Sequence, residues 1–177
     1  MFRLTCARIG IRYNSTVSTA GELYDNFLVT LRNDLKSSIR NKEPAVVKTT
    51  VRSVMSEMKN LEIENHGNVV DQFKIYDHLN KLVKQRKETA EQYLKPDQPE
   101  RFKEMAEAEL EEAKIIAKYL TVLPVASEEE VKAKVIELMK AENITDKRKL
   151  FPKIPWNKIN SEWKASRAMV SDVINKL

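Results

Sequence analysis

With 177 residues, 42% hydrophobic and 32% charged side chains and a formal net charge of +5, the chain has the composition of one globular domain or two small ones. No apolar run approaches the ~20 residues that cross a bilayer. Only 3 glycines stand among long Glu/Lys/Ala/Leu stretches, which favours helices over a sheet-rich fold.

Residues 1–21, "MFRLTCARIGIRYNSTVSTAG", carry Arg3, Arg8 and Arg12 and no acid, together with Ser15, Thr16, Ser18 and Thr19. An Arg-rich, hydroxyl-rich, acid-free segment has the composition of a mitochondrial transit peptide. Phe2, Ile9, Ile11 and Tyr13 supply its apolar side, and the arginines interrupt the uncharged core that a secretory signal needs. We therefore expect residues 1–21 to be a leader directing the protein to the mitochondrial matrix, with the bond after Tyr13 as a candidate cleavage point. The alternative is a merely disordered N-terminus. The single cysteine, Cys6, falls inside this leader, so the processed chain would have neither disulfide, cysteine nucleophile nor thiolate zinc ligand.

From Glu22 to Arg40, the apolar residues Leu23, Tyr24, Phe27, Leu28, Leu31, Leu35 and Ile39 have partners three or four positions away, which predicts an amphipathic helix. Asn41 to Pro44 ends it. A second helix is predicted from Ala45 to Glu62, with Val47, Val51, Val54, Met55, Met58 and Leu61 inward; its period outweighs the weak helix propensity of valine. "NHGN" (65–68) reads as a loop. Asp71 can cap a third helix reaching about Leu94, which buries Phe73, Tyr76, Leu79, Leu82, Val83, Ala90 and Tyr93. After the turn "KPDQPE", Pro99 suits the first turn of a fourth helix running to about Leu120. Its predicted inward residues are Phe102, Met105, Ala106, Leu110, Ala113, Ile116 and Ala117.

Pro124 then breaks the pattern, and Ser127 with Glu130 forms a capping-box signature for a fifth helix built on Val131, Val135, Leu138 and Met139. Pro152 and Pro155 limit any helix near "LFPKIPW", and a last helix carries Met169, Val173, Ile174 and Leu177. The expectation is an all-α chain: a four-helix N-terminal subdomain over 22–123, then a small three-helix C-terminal subdomain over 124–177.

Signals for catalysis are missing. His66 and His78 have no metal-site spacing, and each reads as a solvated histidine. No glycine follows Gly67, which removes phosphate-binding loops. Glu107, Glu109, Glu111 and Glu112 read as a solvated acidic helix face rather than an acid–base pair, since a general acid needs a pocket to raise its pKa. No catalytic residue, metal or cofactor is assigned, and the chain reads as a non-enzyme.

Two basic features remain. One is the outer face of the third helix, with Lys81, Lys84, Arg86 and Lys87. The other is "DKRKLFPKIPWNKINSEWKASR" (146–167), where seven bases outweigh two acids for a net of +5. Its candidate phosphate contacts are Lys147, Arg148, Lys149, Lys153 and Lys158, interleaved with Phe151, Trp156 and Trp163. Cations neutralise phosphate and rings can stack on exposed bases. For the aromatics we prefer the simpler reading, the core of a small bundle.

Three segments, "VRSVMSEMKNLEIE" (51–64), "KLVKQRKETAEQY" (81–93) and "AEAELEEAKIIAKYL" (106–120), resemble the YqeY family in order and spacing. The likeness extends more faintly to "EEEVKAKVIELMK" (128–140) and "MVSDVINKL" (169–177), and with the leader it points to fungal mitochondrial members. The family is the free-standing relative of the tail domain of the tRNA-binding B subunit of glutamyl-tRNA(Gln) amidotransferase. The resemblance implies an all-α fold with a larger and a smaller helical subdomain. It also implies a non-catalytic role with tRNA, with the amidotransferase or with mitochondrial translation components, in carbon–nitrogen ligation using glutamine as amido-N donor. The alternative is a helical protein–protein module without RNA. Two departures stand out: Thr121 follows Tyr119-Leu120 where the family usually has proline, and the C-terminal region lacks the family's Met-Gly turn.

Replacing Arg3, Arg8 and Arg12 with glutamine is expected to leave the protein outside mitochondria on cell fractionation. Unchanged import with an unchanged N-terminal sequence would remove the leader from the account.

Overall fold

A computed structural model describes residues 20–96, 99–144 and 146–177; the expected leader lies almost wholly outside them. The described residues form seven α-helices and no strand: α1 (Ala20–Arg40), α2 (Ala45–Glu64), α3 (Gln72–Tyr93), α4 (Arg101–Leu120), α5 (Glu128–Ala141), α6 (Lys147–Leu150) and α7 (Arg167–Lys176). A 3-10 turn (Phe151–Lys153) and a π turn (Ile159–Trp163) lie between α6 and α7.

The helix boundaries have local causes. Asp71 accepts the Lys74 backbone N–H at 2.8 Å to start α3. The capping box forms in full at α5: Ser127 Oγ accepts from Glu130 N at 3.2 Å, and Glu130 Oε2 accepts from Ser127 N at 3.0 Å. After α1, Lys42 turns left-handed (φ 54°) and Glu43 N–H reaches back to Ser38 O at 2.9 Å, the six-to-one bond of a Schellman stop. Asn143 (φ 52°) does the same for α5, with Ile144 N–H on Met139 O at 2.9 Å. Thr121 closes α4, its hydroxyl donating to Lys118 O at 2.8 Å.

Two buried clusters result. In the first, Leu31 (α1), Met58 (α2), Ile75 and Leu79 (α3) are wholly dry, and Ile116 of α4 joins them. α3 and α4 pack along most of their length. Tyr24 donates its hydroxyl to Met58 O at 2.9 Å, tying α1 to α2; burial, helped by Glu62, pushes its pKa up to about 12. Phe27 meets Tyr119 edge-on, with centroids 6.2 Å apart, tying α1 to α4.

The apolar faces read from the sequence are the buried ones over the middle of each helix, with two kinds of exception. Ile39 in the last turn of α1, Met105 of α4 and the terminal Leu177 are exposed. Ile75, Ile115 and Tyr119 are buried although a single stripe did not include them. α3 contacts α1, α2 and α4, and α4 contacts α2 and α3, so each buries a wider arc.

The second cluster joins Val131 and Val135 of α5, Leu150 of α6, Ile159 and Trp163 of the π turn, and Val170 and Ile174 of α7. Ile154 is extended (ψ 132°) ahead of Pro155, as the proline ring requires. The proline-rich stretch thus becomes single 3-10 and π turns, forms that sequence periodicity does not reveal.

Few contacts join the clusters. Tyr76 and Val125 pack against both. Ser166 caps α7 by accepting from Met169 N at 3.0 Å, and its hydroxyl donates to Asp77 Oδ1 of α3 at 2.5 Å. Lys84 of α3 pairs with Asp172 of α7. We propose that the clusters are separable units with their boundary in 121–127. Expressed alone, residues 20–123 should then stay helical by circular dichroism and unfold cooperatively in urea, with a midpoint below that of the full chain because Tyr76 loses its cover. A fragment without a cooperative transition would show that the units depend on one core.

Candidate nucleic-acid interface

On α3 the basic residues do not share one environment. Lys81, Lys84 and Lys87 recur every third position and are exposed. Arg86 is turned toward α4, where its guanidinium meets Glu109 at 3.1 Å and Glu112 at 3.2 Å. Those glutamates are three apart and so share a helix face. Arg86 is about one-third exposed, and its fork bridges the two most extensively packed helices. The sequence placed it with the lysines. The α3–α4 crossing, which decides its surroundings, leaves no mark on local spacing.

Lys84 and Lys87, but not Lys81, border a crevice between α3, α5 and α7 with a volume of about 280 Å³. Lys84, Lys87 and Asn80 come from α3, and Lys176 arrives from α7. Asp172 of the second unit holds Lys84, and Glu128 holds Lys176 within that unit, so both ammonium groups are positioned by carboxylates. Lys87 has no ion pair among the described residues. Sequence reading missed Lys176, and no signal linked it to Lys84, 92 positions earlier.

Behind the crevice, Asp77 is half-buried, and desolvation pushes its pKa above the usual carboxylate range. The Ser166 hydroxyl acts the other way by stabilising the charged form, and Lys84 helps, whereas Asp71 and Asp172 raise the pKa further.

The C-terminal basic residues are dispersed. Arg148 and Lys149 are exposed on α6. Lys153 pairs with Glu142 at 3.0 Å and Lys158 with Glu162 at 3.2 Å, both as solvent-facing pairs of low energetic weight. Lys147 belongs to the α6 backbone, and its side chain lies outside the described set. Trp163 is 8% exposed within the second cluster. Trp156 stacks on Phe151 with centroids 6.1 Å apart and donates its indole N–H to Phe151 O at 2.9 Å. These rings build the small core, so the charges rather than the aromatics are what this region offers a nucleic acid.

His66 is exposed in a left-handed turn (φ 52°). His78, read as solvated, instead contacts Glu57 of α2 at 3.2 Å with its side chain 19% exposed. Among the described residues, no group of three or more His, Cys, Asp and Glu could hold a metal, and no helix is long and apolar enough to cross a membrane.

A family model described as "Yqey-like protein" matches residues 28–176. A protein of Komagataella phaffii named "Altered inheritance of mitochondria protein 41, mitochondrial" is 39% identical over 182 residues, covering 100% of this chain and 96% of its own. Proteins of the same name from Vanderwaltozyma polyspora and Saccharomyces cerevisiae are 34% and 31% identical, each covering 94% of this chain and 88% of its own.

Arg86→Gln is expected to cost about 1 kcal/mol in urea denaturation, because Glu109 and Glu112 lose their partner. Lys81→Gln and Lys87→Gln should stay within about 0.5 kcal/mol of the parent. Equal stability of all three variants would show that the Arg86 fork is only surface charge.

Proposed function

The chain belongs to the Yqey-like family, and on that premise we propose that it is a non-catalytic accessory protein of the mitochondrial matrix that binds tRNA through its phosphates, in support of tRNA-dependent amidation with glutamine as amido-N donor. Its relatives are named as mitochondrial, which gives the compartment; the matrix, the tRNA and the amidotransferase or translation partner belong to our reading.

The observation that carries the RNA reading is the exposed row Lys81, Lys84 and Lys87 on α3, extended across the crevice by Lys176. A rigid helix presents these cations at fixed spacing, which suits a polyanion with evenly spaced charges. Asp172 occupies the Lys84 ammonium in the free protein. A phosphate oxygen can replace that carboxylate with little loss, because the exposed pair is worth little in water. Exposed Arg148 and Lys149 offer further contacts on the second unit. Arg86 contributes indirectly, by fixing α3 against α4.

The test is a salt titration of tRNA binding by the full chain. Each lost phosphate contact should flatten the log–log salt slope by roughly 0.7–0.9, and the variant Lys81→Gln/Lys84→Gln/Lys87→Gln should therefore flatten it by roughly 2–3 and weaken binding. Glu107→Gln/Glu111→Gln on α4 should not weaken it. Equal affinity and equal slope in the triple-lysine variant would end the α3 reading and leave the protein-interaction module, for which the groove described next is the supporting observation.

A further inference from the structure

The second unit carries a groove that the RNA reading does not use. Two connected hollows of about 660 and 460 Å³ share Lys134, Glu137, Glu162 and Trp163. The edge of Trp163 closes the floor, with Leu138 and Pro155 at one end and Val125 at the other. One wall is α5, and the other is the π turn with segment 124–126.

The α5 wall has the pattern of a helix-docking face. Glu130, Ala133, Glu137 and Ala141 follow at steps of three and four, so they line one stripe. The alanines keep the stripe low enough for a second backbone to come close. The two glutamates stand two turns apart, roughly 10 Å along the axis.

The opposite wall holds two uncommon backbone states side by side. Ile159–Trp163 is a π turn, and Lys164 follows it with φ 51°. Both conformations are sparsely populated and gather at functional sites. Within that wall Ala126 N–H donates to Lys164 O at 2.7 Å, and from across the groove Lys134 Nζ donates to Glu162 O at 3.1 Å.

Charge then selects the occupant. The groove carries Glu130, Glu137 and Glu162 against Lys134 and Lys164, and Lys158 pairs with Glu162, so the acids left to the groove are Glu130 and Glu137 on the α5 rim. Lys134 is drawn onto the Glu162 carbonyl, and Glu137 has no ion pair among the described residues. The result is an apolar trough with an acidic edge, inside a unit whose 146–167 stretch has a net charge of +5. Such an edge repels phosphate and attracts lysine or arginine.

We propose that this groove docks a basic amphipathic helix of a partner protein. Its apolar side lies on Trp163, and two bases seven residues apart meet Glu130 and Glu137. The proposal is independent of the tRNA reading, since its residues lie on α5 and the π turn.

The experiment is an NMR titration of the 15N-labelled full chain with a synthetic Leu/Lys amphipathic helix of about 18 residues, and with a scrambled peptide of the same composition. Signals of residues 130–141 and 162–164 and the Trp163 indole should shift, with affinity at least about tenfold above that of the scrambled peptide. Ala133→Arg fills the stripe with a base and should weaken binding by at least about tenfold, with an unchanged circular-dichroism melt. Glu137→Gln should weaken it a few-fold at low salt and less at high salt. Equal affinity for the scrambled peptide, shifts that map instead to the acidic face of α4, or unaltered binding by Ala133→Arg would each overturn the proposal. Loss of tRNA binding in the α3 lysine variant would leave it standing.

Discussion

The rest of the molecule is arranged around the burial of α3. Ile75 and Leu79 are wholly dry and Val83 nearly so, which no amphipathic helix achieves with one neighbour. α4 covers the longest side, α1 and α2 cover the N-terminal part, and Tyr76 passes the remaining exposure on to the second cluster. Apolar area removed from water stabilises by roughly 25 cal/mol per Å². With four helices sharing one core, each added contact excludes water from the others' residues too. Directional bonds then fix geometry rather than supply the bulk of the energy: Tyr24 on the Met58 carbonyl and Arg86 between Glu109 and Glu112 set how α1 meets α2 and how α3 meets α4.

The seam between the clusters is of a different kind. Its polar contacts are the Ser166–Asp77 hydrogen bond and the Lys84–Asp172 pair. One hydroxyl serves two purposes there, capping α7 and donating to a carboxylate on α3. That carboxylate is itself disfavoured as a charge by its burial and by the two aspartates nearby. Adhesion of this kind is weak and adjustable. In the proposed tRNA complex, a phosphate competing for Lys84 would act on the same seam that sets how the two units face each other.

The surface divides by charge in a way that keeps the two proposed interactions apart. Lys84, Lys87 and Lys176 present cations at the crevice, while the α5 edge presents Glu130 and Glu137 over an apolar trough. The aromatics that could have served RNA are consumed by packing. A unit this small has few other large side chains with which to close a core.

The sequence by itself determined the helices, their order and most of their inward residues. Helical period and capping are local: Asp71, Ser127 and Glu130 act on amides three residues away, and Leu31, Val54 and Leu79 fall on faces that any partner would bury. The quoted segments also carried the family. Tertiary structure alone decided which charges remain for a ligand. Arg86 and Lys84 are two positions apart in one helix, yet Arg86 is held by α4 and Lys84 by α7. It also decided that His78 meets Glu57, that Ile75 and Ile115 are dry, and that a π turn walls a groove across from α5. The physical reason is range. A helix sets its own period through bonds spanning four residues, whereas the environment of each face depends on elements tens of positions away, whose approach is fixed only when the cores close.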